Sequence, residues 1–294
     1  MSAARTSDPV IGLATALTHE SLQPDELARF LEANGFESLL LGEHTHLPAA
    51  ARRYGDGVSE AYRKFYDPFV ALTAAAAATA RLKVGTAVCL IPEHHPISLA
   101  KRVATLDRIS GGRFLFGIGT GWNTVEIANH GVAWRDRWKV TRERILAMRE
   151  IWTRDTAEFH GEFVDFDPIH CWPKPVQRPW PKILIGGGTR PDVIAKRVVE
   201  YGDGWIPLDG ADHAQRLEAT LAALRAEADR AGRRFEDFDL TIGLGLMGPI
   251  TEKRFHEVVA LGFRRVLFLP PAGAPPAEAW PVLEGFAKLK SRLV

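Results

Sequence analysis

The sequence predicts an α/β fold, a (β/α)8 TIM barrel with insertions, as one domain over residues 1–294. Eight short apolar runs alternate with helical segments, and such runs are typical of parallel strands buried on both faces. Eight such units favour a closed barrel over an open, doubly wound sheet. No shift in composition marks a domain boundary. The eight runs occupy residues 10–17, 38–42, 82–90, 113–119, 182–185, 204–207, 240–246 and 265–269.

A helix is expected after each strand, and several helices carry local start or stop signals. Pro24 and the acidic residues after it mark the start of the first helix, and Gly35 supplies its stop. Pro68 lies near the first position of an alanine-rich helix, where its missing N–H removes no hydrogen bond. The expected helices cover 24–35, about 68–80, 96–109 and about 137–152, and later ones begin at 191, end at 230, begin at 251 and end at 293.

Two segments interrupt the alternation and are predicted to be insertions. Residues 47–66 are polar and glycine-containing, which predicts a long loop. Residues 153–181 begin with an alternating stretch at 159–166, which predicts a small hairpin, and continue with five prolines that exclude regular structure. Both insertions are expected to shape a substrate pocket.

The composition excludes several classes of protein. The 294 residues are 46% hydrophobic, and 37 basic against 36 acidic residues leave a net charge of +1. This balance argues against a nucleic-acid or membrane partner recognised by bulk charge, and favours a small-molecule substrate. Two cysteines make no disulfide framework, and no signal-peptide pattern is present, so a cytoplasmic location is expected.

Candidate catalytic residues follow the predicted strands, because the carboxyl ends of barrel strands carry the chemistry in this fold. Glu43, His44 and His46 follow the second strand, and further polar residues follow the third to fifth. An imidazole held by a neighbouring carboxylate transfers protons near neutral pH, which favours His44 and Glu43 as the catalytic pair. A metal site is not predicted, because the fifth and eighth strands end without a carboxylate or imidazole.

A glycine-rich turn follows the fifth strand and opens a helix. Gly186, Gly187, Gly188, Thr189 and Arg190 form this turn. Small residues let backbone N–H groups approach a phosphate, and the helix N-terminus and the arginine favour negative charge. The alternative is a tight turn that only needs positive φ angles. Three consecutive glycines exceed that need, which favours an anion site.

Of the eight tryptophans, Trp122 stands at the predicted barrel mouth, directly after the fourth strand. A flat aromatic side chain at this place is typical of a pocket wall. Trp122 and His46 are therefore predicted to border the substrate.

Motifs along most of the chain, from about residue 10 to 270, resemble the bacterial luciferase-like monooxygenase superfamily. Their combination and order are most similar to the branch that uses the deazaflavin coenzyme F420 rather than FMN. The motifs are GTAVCLIPEHHP at 85–96, LAKRVATLDRISGGRF at 99–114, GIGTGW at 117–122, FHGEF at 159–163, HCWPKPVQRP at 170–179, IGGG at 185–188 and GDGW at 202–205.

The resemblance implies an oxidoreductase that transfers a hydride between coenzyme F420 and a small organic substrate; an FMN-dependent monooxygenase that uses O2 is the alternative. It implies a non-proline cis peptide bond at Ala87–Val88, in a bulge of the third strand behind the cofactor ring. His44 would move a proton, and Glu43 would orient His44 or contact the cofactor. The implied cofactor contacts are Glu43, Thr86, Ala87, Val88, Gly119, Thr120, Gly121, Asn123, Gly186, Gly187, Gly188, Thr189 and Arg190.

One position departs from the resemblance. Sugar-phosphate dehydrogenases of the deazaflavin branch carry a glutamate after Gly-Thr-Gly, where this chain has Trp122. An apolar or planar substrate is therefore expected instead of a sugar phosphate. Family members are commonly dimers, so a homodimer is expected. Two further alternatives are a cofactor-binding homologue without catalysis and a metal-dependent barrel hydrolase.

Overall fold

Eight parallel strands close into a barrel in the computed structural model, which describes residues 8–49, 60–210, 213–246 and 248–294. The strands are β1 (Val10–Thr15), β2 (Ser38–Leu41), β3 (Lys83–Leu90), β4 (Phe114–Gly119), β5 (Thr156–His160), β6 (Asp165–His170), β7 (Ile183–Gly186), β8 (Gly204–Ile206), β9 (Asp239–Leu244) and β10 (Arg265–Phe268). Around the barrel the order is β1, β2, β3, β4, β7, β8, β9 and β10, which pairs again with β1. The predicted (β/α)8 barrel is confirmed.

Helices surround the barrel, and the first turn of several contains proline or acidic residues, as their sequences predict. They are α1 (Pro24–Ala33), α2 (Pro68–Ala77), α3 (Pro96–Ile109), α4 (Thr124–Asn129), α5 (Arg137–Thr153), α6 (Pro191–Tyr201), α7 (His213–Arg230), α8 (Glu252–Ala260) and α9 (Pro276–Leu293). No helix in the described ranges is both long and apolar enough to cross a membrane.

The hydrophobic core has two layers, because each strand is apolar on both faces. The larger layer lies between the strands and the helices. The smaller layer fills the barrel interior, where half-buried Ala87, Val88 and Leu269 pack against it. Its buried residues are Ala14, Leu40, Leu115, Leu184, Ile206 and Leu267.

The amino end of the barrel is closed by a paired charge network around Arg265. Its guanidinium contacts Glu37 with Nε at 2.9 Å and Asp239 with Nη1 at 2.7 Å. Lys83 adds a second cation 2.8 Å from Glu37. Burial alone would raise the pKa of Glu37, but Arg265 and Lys83 outweigh it and lower the pKa to about 2. Every carboxylate of this network is therefore charged and paired.

The two predicted insertions have different outcomes. Strands β5 and β6 form the predicted hairpin. Because β6 contains Pro168 and extends to His170, the expectation that the prolines exclude regular structure is wrong at that position and holds for residues 171–181. The carboxylate of Asp107 fixes this segment by accepting the backbone N–H groups of Val176 and Gln177 at 2.7 and 3.0 Å. Of the loop at 47–66, residues 50–59 lie outside the described residues, and Glu60–Lys64 form a 3-10 helix.

Helix α4 is an element that the sequence interpretation missed, because no helix was predicted between the fourth strand and residue 137. The helix has only six residues, too few for an apolar period to show. Its start is fixed by Asn123, whose side-chain oxygen accepts the N–H groups of Val125 and Glu126 at 3.1 and 3.2 Å. This short helix places Glu126 at the barrel mouth.

Candidate active site

The floor of the barrel mouth is built by Ala87 and Val88, where β3 shifts its register against β4. The peptide bond between these residues is cis, as the resemblance implied. A Cβ atom on Gly119 would lie 2.7 Å from one γ-methyl of Val88, and a Cβ on Gly186 would lie 2.7 Å from the other. Glycine at both positions is therefore what allows Val88 to sit between the ends of β4 and β7.

The buried pair of His44 and Glu126 is the central feature of the site. Glu126 Oε2 lies 2.8 Å from His44 Nδ1, and the two side chains are 1% and 6% exposed for glutamate and histidine. Glu126 Oε1 accepts the backbone N–H of Thr45 at 3.1 Å, which fixes the carboxylate. The indole N–H of Trp122 donates to His44 Nε2 at 3.1 Å. This donor leaves the imidazole proton on Nδ1 and a lone pair on Nε2.

Glu126 is a site residue that the sequence interpretation missed. The available signal was the spacing from Asn123 to Glu126, which resembles an N-terminal capping box. In that motif the glutamate reaches back to the start of its own helix. Here its carboxylate bonds to His44 on the neighbouring strand end instead, a contact that only the barrel closure creates.

Glu43 does not orient His44, and that expectation is wrong, whereas its alternative role as a cofactor contact stays a prediction. Its Oε1 lies 2.9 Å from His94 Nε2, and its Oε2 accepts the backbone N–H of Leu90 at 2.6 Å. Burial alone would raise the pKa of Glu43, but the hydrogen bonds with His94 and Leu90 outweigh it and lower the pKa. Glu43 therefore fixes the segment after β3, since both carboxylate oxygens are engaged there.

A possible metal-ligand cluster exists at the same place. The donor atoms of Glu43, Cys89 and His94 lie within 4.8 Å of one another. Without a bound ion, burial raises the pKa of the Cys89 thiol well above its ordinary value. The hydrogen bond between Glu43 and His94 makes the cluster a support of the segment after β3, and the absence of a metal site stays a prediction.

A second polar group surrounds Thr45. Its hydroxyl lies 2.9 Å from Glu93 Oε2 and 2.8 Å from His130 Nε2. Glu93 Oε1 is buried and has no hydrogen-bond partner among the described residues. Burial, then the charges of Glu126 and Glu43, raises the pKa of Glu93 to about 8. The mouth thus contains a carboxyl group that is predominantly protonated near neutral pH.

His46 belongs to this second group rather than to the surroundings of His44. Its Nε2 lies 2.8 Å from the amide nitrogen of Asn129, and its ring is 5.6 Å from that of His130. Burial, with the neighbouring His46 and His94, lowers the pKa of His130. A substrate contact of His46 stays a prediction.

Aromatic side chains enclose His44. The ring centroids of Tyr62, Phe65 and Trp122 lie 5.3, 5.8 and 5.4 Å from that of the imidazole. The first two come from the 3-10 helix after the long loop and the residue that follows it. The structure places Trp122 beside His44 and adds two neighbours that the sequence interpretation did not name, and a substrate contact of Trp122 stays a prediction.

The structure shows side-chain hydrogen bonds for two of the predicted cofactor contacts on and after β3 and β4, namely Thr86 and Asn123. Thr86 is completely buried, and its hydroxyl donates to the carbonyl of Gly117 at 2.7 Å, so its side chain does not line the mouth. Asn123 has its oxygen engaged in the helix cap, whereas its side-chain nitrogen is buried without a partner in the described ranges. Contacts of Thr120 and Gly121 with a cofactor stay predictions.

The glycine turn after β7 has the backbone that its sequence predicts. Gly187 and Gly188 have φ angles of 76° and 90°. A Cβ on Gly187 would meet no atom within 4 Å, so the turn faces open space. Thr189 and Arg190 are exposed, and Arg190 pairs with Asp192 at 2.8 Å. The turn and the N-terminus of α6 can therefore present backbone N–H groups to an anion.

Several known proteins are similar to this chain. An uncharacterized protein of Mycobacterium tuberculosis is 42% identical over 201 residues, which cover 66% of this chain and 71% of that protein. An F420-dependent glucose-6-phosphate dehydrogenase of Amycolatopsis mediterranei is 32% identical over 60% of this chain and 53% of its own. An FMNH2-dependent dimethylsulfone monooxygenase of Pseudomonas putida is 34% identical over 63% of this chain and 49% of its own. The matches span about half the length of these two enzymes.

A solved structure of an F420-dependent enzyme has the same fold. The structure of an F420-dependent secondary alcohol dehydrogenase in complex with an F420-acetone adduct superposes with a TM-score of 0.79. The match covers 98% of this chain and 99% of that one at 16% identity, so it supports the fold alone. The family model described as luciferase-like monooxygenase matches residues 23–262. This match covers most of the barrel and its mouth, and the chain therefore belongs to the luciferase-like monooxygenase family.

Proposed function

We propose that the protein transfers a hydride between coenzyme F420 and a small organic substrate, with His44 as the acid–base group. The buried pair of Glu126 and His44 carries this proposal. An imidazole with its proton on Nδ1 and a lone pair on Nε2 is prepared to accept the proton of a substrate hydroxyl as hydride leaves the adjacent carbon. In the reverse direction, the same nitrogen returns the proton to the product oxygen.

The mouth fits a flat redox cofactor with an anionic chain. Ala87 and Val88 offer an apolar floor, and the unpartnered side-chain nitrogen of Asn123 offers a donor for a ring oxygen. Gly187 and Gly188 leave room for a phosphate against the backbone. When bound, the cofactor supplies the carbon centre that exchanges the hydride, and the protein supplies orientation and proton transfer.

The two hydrogen-bond partners of His44, Glu126 and Trp122, have different roles in proton transfer. Glu126 fixes the ring orientation and stabilises the imidazolium that forms when the substrate proton arrives. The indole N–H of Trp122 marks the position on Nε2 that a substrate hydroxyl takes. Binding of the substrate therefore requires the indole to yield this hydrogen bond.

The aromatic enclosure points to the class of substrate. Tyr62, Phe65 and Trp122 present ring faces and edges around His44. The position after Gly121 holds the indole where a glutamate was expected for a sugar-phosphate substrate. An alcohol or carbonyl compound with apolar substituents suits this enclosure better than a sugar phosphate.

A fluorescence titration with oxidised F420 and with FMN tests the choice of cofactor. We expect F420 to bind at least about ten-fold more tightly than FMN. Tight binding of FMN without binding of F420 would instead support the alternative, an FMN-dependent monooxygenase that uses O2. That alternative has its own support in the FMNH2-dependent relative.

Turnover assays then separate an enzyme from a cofactor carrier. Purified protein with bound F420 is offered a panel of alcohols, enones and imines, and hydride transfer is followed by the cofactor absorbance. Turnover that is lost in His44→Ala while F420 affinity is retained supports the proposal. No turnover across the whole panel would favour a homologue that only binds the cofactor.

We also propose that the protein acts in the cytoplasm as a homodimer. Val70 on the alanine-rich helix α2 is 72% exposed, which leaves an apolar position for a partner. Sedimentation equilibrium with a mass of two chains would support the dimer, and a mass of one chain would contradict it.

A further inference from the structure

Arg197 is a half-buried arginine with no acidic partner in the part of the chain that the structure describes. It lies on α6, and its Cζ stands 3.6 Å from the ring centroid of Trp138 on α5. The neighbouring carboxylates are already engaged. Asp192 pairs with Arg190, and Glu200 pairs with Arg142 at 2.6 Å.

The free guanidinium lies beside the glycine turn. A Cβ on Gly188 would lie 3.7 Å from Arg197 Nη1 and 2.9 Å from Ile194 Cγ1. Helical side chains lean toward the helix N-terminus, which brings this arginine from the second turn of α6 back to the turn that opens the helix. The charge therefore stands next to the backbone that is suited to a phosphate.

Two further polar groups near Arg197 lack partners. Arg137, which begins α5, has a buried Nε with no hydrogen-bond partner in the described ranges. Its charge acts on Arg197, and burial is the first cause of the lowered pKa of Arg197, with Arg137 contributing. Tyr201, four residues after Arg197, has a buried hydroxyl without a partner.

Neither arginine has a carboxylate partner among the described residues, and Arg137 donates with Nη1 only to the carbonyl of Trp134 at 2.7 Å, so both can gain from an anion. Stacking on Trp138 and Trp134 holds Arg197 and Arg137 at 3.6 and 3.7 Å from the ring centroids. A guanidinium fixed in this way loses little freedom when it binds a carboxylate or phosphate through two parallel hydrogen bonds. The pair is thus a preformed anion receptor at the side of the glycine turn.

We propose that Arg197, supported by Arg137, binds the carboxylates of the oligoglutamate tail of F420, beyond the phosphate held at Gly187 and Gly188. This inference rests on the proposed function. F420 continues past its phosphate into a chain of carboxylates, whereas FMN ends at the phosphate. The arginine pair thereby distinguishes the two cofactors at a distance from their rings.

Equilibrium binding to wild type and Arg197→Gln tests the inference without any activity assay. The ligands are F420 with several glutamates, its form without glutamates, the deazaflavin riboside without phosphate, and FMN. The matched control is Arg225→Gln, because Arg225 makes the same stacked contact with Phe235 at 3.6 Å on another helix. Arg197→Lys, which keeps the charge, tests whether a partial rescue occurs.

We expect Arg197→Gln to weaken binding of glutamate-bearing F420 by about ten-fold and to leave the other three ligands within about two-fold. The control variant binds all four ligands like wild type, and Arg197→Lys recovers part of the loss. High salt should reduce the difference between wild type and Arg197→Gln.

Three results would overturn the inference. An equal loss for FMN and F420 would assign Arg197 to the phosphate, and no loss for any ligand would leave it a packing residue. In both cases the proposed F420 dependence stands, because wild type still binds F420. Wild type that binds no deazaflavin would refute the proposed function and this inference together.

Discussion

The two ends of the barrel differ in the partners that their buried carboxylates have. At the amino end, Arg265 is enclosed by carboxylates that it pairs directly, with Lys83 alongside. At the carboxyl end, Glu43, Glu93 and Glu126 are buried with histidines and a threonine instead of arginine or lysine. The first arrangement is satisfied and carries stability. The second leaves one carboxyl oxygen of Glu93 unpartnered among the described residues, and it holds His44 Nε2 only by an indole N–H that a substrate can replace, which is what a reactive site needs.

The largest expected effect concerns the reactive end. Replacing His44 by Asn removes the proton acceptor and should lower kcat by about 10²–10⁴-fold. The affinity for F420 should change little. The free energy of unfolding should fall by about 1–3 kcal/mol, because Glu126 Oε2 loses its buried hydrogen-bond partner. Single-turnover kinetics and a denaturation curve measure both quantities. An unchanged kcat would place the acid–base group elsewhere.

The satisfied end should respond through stability alone. Arg265→Met leaves Glu37 and Asp239 buried without their cation, which we expect to cost about 3–5 kcal/mol of unfolding free energy. Urea denaturation measures this loss, and a titration with cofactor checks that the folded fraction binds normally. A loss of cofactor affinity at equal folding would contradict the separation of the two ends. The exposed pair of Arg29 and Asp25 offers a control, since Arg29→Met should cost under about 1 kcal/mol.

A smaller effect is expected for the carboxylate behind His44. Glu126→Gln keeps the shape and an acceptor oxygen but removes the charge that stabilises the imidazolium. We expect kcat to fall about ten-fold, since a hydrogen bond to a charged group is the stronger kind. A kcat equal to that of wild type would make Glu126 only a structural anchor.

The last prediction concerns the pH dependence of stability rather than turnover. Glu93 has its pKa raised to about 8 in the folded protein, from 4.5 in the reference state. Between these values the folded state holds a proton that the unfolded state has lost, so this group makes stability fall as pH rises, by at most about 1.4 kcal/mol per pH unit. Glu93→Gln should remove this decline between pH 5 and about pH 8. Parallel curves for wild type and variant would contradict the raised pKa.

The barrel could be predicted from sequence because its signal is repeated and local. Each apolar run is a strand by its own composition, and eight runs leave few other topologies. The glycine turn and the cis bond at Ala87–Val88 were placed by motifs that stay contiguous in the chain. The sequence interpretation assigned both His44 and Trp122 to the barrel mouth but did not predict the contact between them.

The partner of His44 could not be predicted, because sequence proximity favoured the wrong carboxylate. Glu43 precedes His44 in the chain, yet neighbouring residues at a strand end point to different sides. Glu126 lies 82 residues away and on a helix too short to show its period. The free charge of Arg197 is equally invisible in sequence, since the lack of a partner is a property of the assembled surface.

The packing of Val88 between Gly119 and Gly186 restricts which substitutions these positions can accept. Each glycine faces one γ-methyl of Val88. A Cβ atom added at either glycine would lie 2.7 Å from that methyl and overlap with it. A substitution at one of these three positions, which lie on three strands, therefore requires a compensating substitution at another. A homologue with alanine at one glycine should carry a smaller residue in place of Val88, and with it a cofactor floor of altered depth. We therefore expect Val88, Gly119 and Gly186 to covary among homologues.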